Sequence, residues 1–227
     1  MLFRSPSKHW AFKSVATPVT PKIEPADEAK VRQPLDRFVL AKLKSAGLDF
    51  NPEAPRETIV RRLTLALWGF NPTAEEVAAY VADKDPQATE KLVDRLLAAP
   101  AFGERWARHW LDLVRYAETS GHEFDFEIPL AHEYRDYVIR ALNADVPYDQ
   151  FVREHIAGDL LPEPRRHPTE HFLESPIATG FWFLGESKHS PVDIRVDSAE
   201  RLDNQVDVFA KAFLAQTVGC ARCHDHK

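Results

Sequence analysis

Two cysteines, three positions apart and followed at once by a histidine, are the residues with the most specific chemistry: Cys220-Ala221-Arg222-Cys223-His224. C-x-x-C-H is the spacing at which a c-type haem is attached, with both thiols as thioethers and the histidine on the iron. If the segment is helical, positions 220, 223 and 224 share a face, as this chemistry needs. Upstream, Leu202, Val206, Phe209, Phe213 and Cys220 recur at steps of three, four and seven residues. Asp203, Asp207 and Lys211 fall on the other side, which predicts an amphipathic helix ending in the motif. The same residues support other chemistries. Two thiolates with His224 or His226 as a third ligand make most of a zinc or iron site, structural if closed and hydrolytic if a position stays open. A C-x-x-C pair can also be a redox dithiol, although no βαβ pattern surrounds this one.

A haem needs a second axial ligand or an open position. The only methionine is Met1, so an internal methionine ligand is not available within the chain. His109, His122, His155 and His226 are then the candidates, and a histidine in that place sets a lower reduction potential than a thioether would. His109 lies in Phe102-Gly103-Glu104-Arg105-Trp106-Ala107-Arg108-His109-Trp110-Leu111-Asp112, where Asp112 at i+3 is placed to orient its ring. His122 lies in an acidic loop, residues 118–127, which reads either as a metal loop or as a solvated turn.

The elements that must position these groups read as helices. Pro34 opens one with Leu35, Phe38, Val39 and Leu43 inward, closed at Gly47. Glu57 to Leu67 forms a second. Thr73-Ala74-Glu75-Glu76 is a capping box that starts a third, running to about Val81. Asp85-Pro86 starts a fourth, which reaches Pro100. In the next stretch Phe102, Trp106, Trp110, Leu113 and Ala117 form one stripe, a core face or the lining of a cofactor pocket. Ala131 to Asn143 follows with Tyr134, Tyr137, Val138 and Leu142 inward, then Tyr148 to Ala157 with Phe151, Val152 and Ile156 inward. The short run 180–185 fits a helix or a strand equally. The expected fold is all-α: an irregular multi-helix domain over 34–227, preceded by an extended Pro-rich arm over 1–33 in which Trp10 and Phe12 are anchors.

At 227 residues and 44% hydrophobic content the chain can build a substantial core, and a net charge of −6 gives no footprint for nucleic acid. No apolar run is long enough for a membrane span. No nucleophilic triad, phosphate-cradling glycine loop or dinucleotide fingerprint is present. A non-catalytic helical module that docks a partner through its aromatic face is the remaining class of function. The first residues, Met1-Leu2-Phe3-Arg4-Ser5-Pro6, hold no apolar h-region. Because c-type haem is attached outside the cytoplasm, a haem protein of this sequence is expected to be part of a longer exported chain.

Read in order, several phrases resemble the planctomycete-specific cytochrome C family, in its second cytochrome-like domain. They are His9-Trp10-Ala11-Phe12, Arg61-Arg62-Leu63-Thr64, Pro72-Thr73-Ala74-Glu75-Glu76-Val77, the stretch 102–112, Arg115-Tyr116-Ala117-Glu118, Tyr134-Arg135-Asp136-Tyr137-Val138-Ile139, Ala157-Gly158-Asp159-Leu160-Leu161-Pro162, and Val218 to Lys227. The resemblance implies haem c at Cys220, Cys223 and His224, an exported or periplasmic setting, further domains upstream and downstream, and a redox partner. Leu67-Trp68-Gly69-Phe70-Asn71 departs from the family's usual Leu-Thr-Gly-Leu-Pro, and the family's Phe-Asp-Pro continuation after Lys227 makes a truncated C-terminal end the expectation.

Overall fold

The computed structural model describes residues 13–121, 124–185, 188 and 190–223. Among them every regular element is a helix, and the only extended pairings are two isolated bridges, Thr119 with Glu127 and Arg166 with Leu173. The fold is mostly α, as the periodicity predicts. No described helix is long and apolar enough to cross a membrane. The expected anchors Trp10 and Phe12 lie outside the described residues.

The chain divides into two compact units, Met1–Ala54 and Pro55–Lys227. In the first, residues 14–24 have no regular structure, a 3-10 helix covers Pro25–Lys30, and α1 covers Pro34–Ser45. Pro34 supplies the first helical position, where its missing N–H costs nothing. Asp36 Oδ2 accepts from the Gln33 N–H at 3.0 Å, and Gly47 follows the helix with a φ of 71°. Lys30 and Lys44 both pair with Asp27 and Asp49.

In the second unit, α2 (Arg56–Leu67), α3 (Ala74–Ala82) and α4 (Ala88–Leu97) close on Val60, Tyr80, Leu92 and Leu96. The capping box forms as read: Thr73 Oγ1 accepts from the Glu76 N–H at 3.2 Å, and Glu76 Oε2 accepts from the Thr73 N–H at 2.9 Å. A second core joins α5 (Pro100–Leu113), α6 (Ala131–Asn143), α7 (Tyr148–Ala157), a 3-10 helix at Ser175–Phe183 and α8 (Ile194–Leu214), around residues such as Tyr137, Val138, Phe151 and Phe181.

Four faces differ from the sequence reading. On α1 the buried residue is Leu40, while Leu35 and Val39, expected inward, are exposed. On α5 the residues turned inward are Gly103 and Ala107, with Val114 buried just past its end and Trp110 half-buried beside them, while Trp106 and Leu113 are exposed. Small residues set this rotation. Gly103 lies so close to α6 that its N–H donates to Asn143 Oδ1 at 2.8 Å, and an added Cβ would meet that side chain at 2.6 Å. On α7 Glu154 and His155 are buried and Ile156 is exposed. On α8 Phe209 and Phe213 pack inward, but Leu202 and Val206 are exposed. Of the run at 180–185, Gly180 to Phe183 form the end of a 3-10 helix, and Leu184 leaves it in an extended conformation.

The inversion on α7 has a polar cause. Glu154 Oε2 accepts from Tyr137 Oη at 2.6 Å and Arg165 Nη2 at 3.2 Å, and Oε1 accepts from Ser175 Oγ at 2.8 Å and Gln150 Nε2 at 3.1 Å. Desolvation pushes this carboxyl up, yet the donors outweigh it and hold it below the usual carboxylate range. Glu174, also buried, receives a two-pronged bond from Arg140, at 2.6 and 3.0 Å. His155 completes a chain of single polarity. Trp110 Nε1–H donates to Tyr134 Oη at 2.9 Å, Tyr134 Oη–H donates to His155 Nε2 at 2.9 Å, and Nδ1–H donates to the Phe151 carbonyl at 2.7 Å.

Replacing Arg165 by Met leaves a buried carboxylate short of its counter-charge, and urea denaturation at pH 7 should show a loss of about 3–5 kcal/mol; an unchanged midpoint would mean Glu154 is not held as a charge. Burial, offset in part by the Phe151 carbonyl, pushes His155 down to about 4. The unfolded chain, with a histidine near 6.5, therefore binds the extra proton first as pH falls. The contribution of His155 is full above pH 6.5 and fades between 6.5 and 4, by about 3 kcal/mol. A His155→Gln variant should have a flatter stability profile across that window.

Candidate functional site

Helix α8 stops at Leu214 because Ala215 turns left-handed, with a φ of 51°. The cysteines therefore do not continue its apolar stripe, in contrast to the sequence reading. Cys220 lies on a separate 3-10 helix, Gly219–Arg222, and Cys223 caps it, its N–H donating to the Cys220 carbonyl at 3.4 Å. Side chains three apart eclipse in a 3-10 turn, so both thiols still occupy one side. Both are free and exposed. The turn is laid back along the polar face of α8: Arg222 Nη1 meets Asp203 Oδ2 at 3.1 Å, and an added Cβ on Gly219 would sit 3.3 Å from Asp207 Oδ1.

The other candidate ligands are not gathered here. His224, His226 and His122 lie outside the described residues. His109 is exposed on α5, its ring edge-on to Trp106 at 5.4 Å between centroids, and no hydrogen bond or ion pair joins it to Asp112 among the described residues. His155 is buried with both ring nitrogens engaged, which leaves it no lone pair for a metal. In the acidic loop, Asp125 Oδ1 accepts from the Gly121 N–H at 3.0 Å and the Ser120 N–H donates to the Phe126 carbonyl at 2.7 Å, so part of its polarity closes a tight turn. Among the described residues no group of three His, Cys, Asp or Glu side chains is arranged to hold a metal.

The periodicity gives no sign of a second feature, a cleft of about 640 Å³ between the end of α5, the end of the Ser175–Phe183 helix and α8. Arg115 lines it. This residue follows α5 with a φ of 58°, a left-handed conformation that turns the chain. Its Nη2 donates to the Leu184 carbonyl at 3.1 Å, its Nη1 donates to Asn204 Oδ1, and its Nε is buried with no acceptor. Burial lowers the Arg115 pKa despite the nearby Asp207 charge. Gly185 makes the approach possible: with a φ of 133°, it lies where an added Cβ would stand 3.0 Å from Arg115 Nη1 and 3.3 Å from Asn204 Oδ1. Across the cleft, Lys188 bonds Glu200 at 2.7 Å and, with a smaller contribution from the charge of Arg222, holds that carboxyl below its usual range. Arg222 lies between the two cysteines, and positions 200, 203, 204 and 207 run along one face of α8. The thiol turn and the cleft thus use adjoining sides of one helix, and the charge of Arg222 reaches Glu200 in the cleft wall.

Gly185→Ala should place a methyl against the Arg115 guanidinium in a backbone region that disfavours any side chain. The expected cost is about 1–3 kcal/mol, read as a lower Tm by roughly 2–4 °C for each kcal/mol. An unaltered Tm would mean the Gly185 backbone relaxes freely.

No curated protein and no solved structure matches the chain. A family model does match, over residues 34–227: PSCyt2, described as a protein of unknown function (DUF1549). The match takes in every helix from α1 to α8, the cleft and the cysteine pair, and on that extent the chain belongs to this family.

Proposed function

We propose that the chain is a c-type haem-binding electron-transfer domain of a larger exported protein, with Cys220 and Cys223 as the points of attachment and His224 as the iron ligand. The observation that carries this reading is the thiol pair: two free, exposed cysteines one 3-10 turn apart, on a turn tied to Asp203 of α8, the helix that also walls the cleft. The residues fit such a group. Each thiol can add across one vinyl group, sulfur to one carbon and the proton to the other, with no atom lost. Asp203 holds Arg222 and so fixes the turn between the two sulfurs. When bound, a haem supplies one-electron chemistry at a potential set by its axial ligands and surroundings. Of the histidines considered for the sixth position, His155 is unsuited because both its nitrogens are committed, which leaves His109, His122 and His226. Export follows from the reading itself, since the attachment is made outside the cytoplasm. Domains upstream and downstream and a redox partner are part of the same proposal.

The thiol pair would equally serve a zinc or iron ion, and one experiment separates the two. The protein is expressed with an export signal and a cytochrome c maturation system, then extracted with acid acetone and assayed as the pyridine haemochrome. A retained c-type α-band, abolished or weakened in Cys220→Ala and Cys223→Ala, is the expected result. Colourless protein carrying about one zinc or iron per chain would replace haem by a metal site; colourless protein without metal would sink both readings.

A further inference from the structure

Arg115 is a cation placed where a cation without a counter-charge is costly. Two of its N–H groups donate to neutral acceptors, the Leu184 carbonyl and Asn204 Oδ1, and its Nε–H is buried without an acceptor. No carboxylate pairs with it among the described residues; Asp207 acts on it only through its field. A half-buried guanidinium in this state is most readily completed by an anion, since bonds to a charged partner are about twice as strong as those to a neutral one. The cleft it lines also has an aromatic wall. Trp182 is fixed by stacking on Phe209 at 5.7 Å between centroids, and Phe183 is 73% exposed. On the α8 side Lys188 pairs with Glu200, and Asp197 stands with Arg201 in the same wall, so acidic and basic groups are matched there and do not bar an anion from Arg115.

We infer that this cleft binds a flat, largely apolar ligand through a carboxylate set on Arg115, with the ligand's face against Trp182 and Phe183. The inference rests on the haem reading in one respect: a porphyrin attached at Cys220 and Cys223, on a turn that packs on α8, is one source of such a group, through its two carboxylate side arms. A free aromatic carboxylate has the same chemistry and is the other source.

The probes are protoporphyrin IX, which carries the two carboxylates, and its dimethyl ester, which has the same ring without the charges. Both are titrated into the full chain and followed by porphyrin fluorescence. The acid should bind about 10- to 100-fold more tightly than the ester. In Arg115→Gln the two should bind within about twofold of each other, while Arg115→Lys keeps part of the preference, which separates loss of the charge from loss of the fold. Phe183→Ala should weaken acid and ester alike. Competition by 1-naphthoate assigns the source: displacement favours a small free carboxylate, and no displacement favours the porphyrin. The inference is overturned if neither porphyrin binds, if the wild-type chain does not prefer the acid, or if Arg115→Gln keeps the preference. Colourless protein after maturation, together with an acid preference that needs Arg115, would end the haem reading and leave the cleft. Attached haem with no acid preference would do the reverse.

Discussion

A carboxylate that no water reaches sets the terms for the second unit. Glu154 is fully buried and stays ionised only because donors arrive from four separate places: Tyr137 on α6, Gln150 on its own helix, Arg165 in the segment after α7, and Ser175 at the head of the 3-10 helix. An apolar contact tolerates sliding by an ångström, whereas a buried charge with hydrogen-bonded partners does not. The register of those segments is therefore pinned from within. Gly158 reinforces it from outside, since any Cβ there would fall 1.9 Å from the Ser175 carbonyl oxygen. The 3-10 helix so fixed ends at Phe183, and the carbonyl of the next residue, Leu184, accepts from Arg115. The geometry of the cleft thus descends from the Glu154 cluster through one short helix.

The helices with strong apolar repeats and clear boundary residues are legible in the chain. Pro34, the Thr73 to Glu76 box and the spans 131–143 and 148–157 all appear where their residue types place them. What the pattern misassigns is which face turns inward. It counts tryptophan as core and glutamate as surface. On α5, however, the small Gly103 and Ala107 decide how closely α6 can approach, and Trp106 is left outside. On α7, Glu154 and His155 go in because partners distant in sequence complete their hydrogen bonds, and no window of single-chain periodicity contains those partners. The stripe on α8 overruns its helix for a local reason: Ala215 turns left-handed, a conformation that glycine or asparagine would have signalled and alanine does not.

The two halves of the candidate site differ in the same way. Cys220 and Cys223 are visible because their meaning lies in adjacent positions. Arg115, Gly185 and Asn204 are not, because they come from three elements up to 89 residues apart and carry no spacing rule. Arg115 enters the sequence reading only as part of the phrase Arg115-Tyr116-Ala117-Glu118, with nothing to distinguish it from any surface arginine.

The left-handed break at Ala215 has one more consequence, for the order of assembly. Neither cysteine belongs to either hydrophobic core, and the turn that carries them touches the rest of the second unit through the polar face of α8. In small metal-binding domains the free energy of binding is also the free energy of folding, so that the apo chain is unstructured. Here the cores close without the cysteines. The scaffold does not rely on the cysteines for its cores, so a group attached there, were the proposed haem or metal taken up, would be added to a chain already folded.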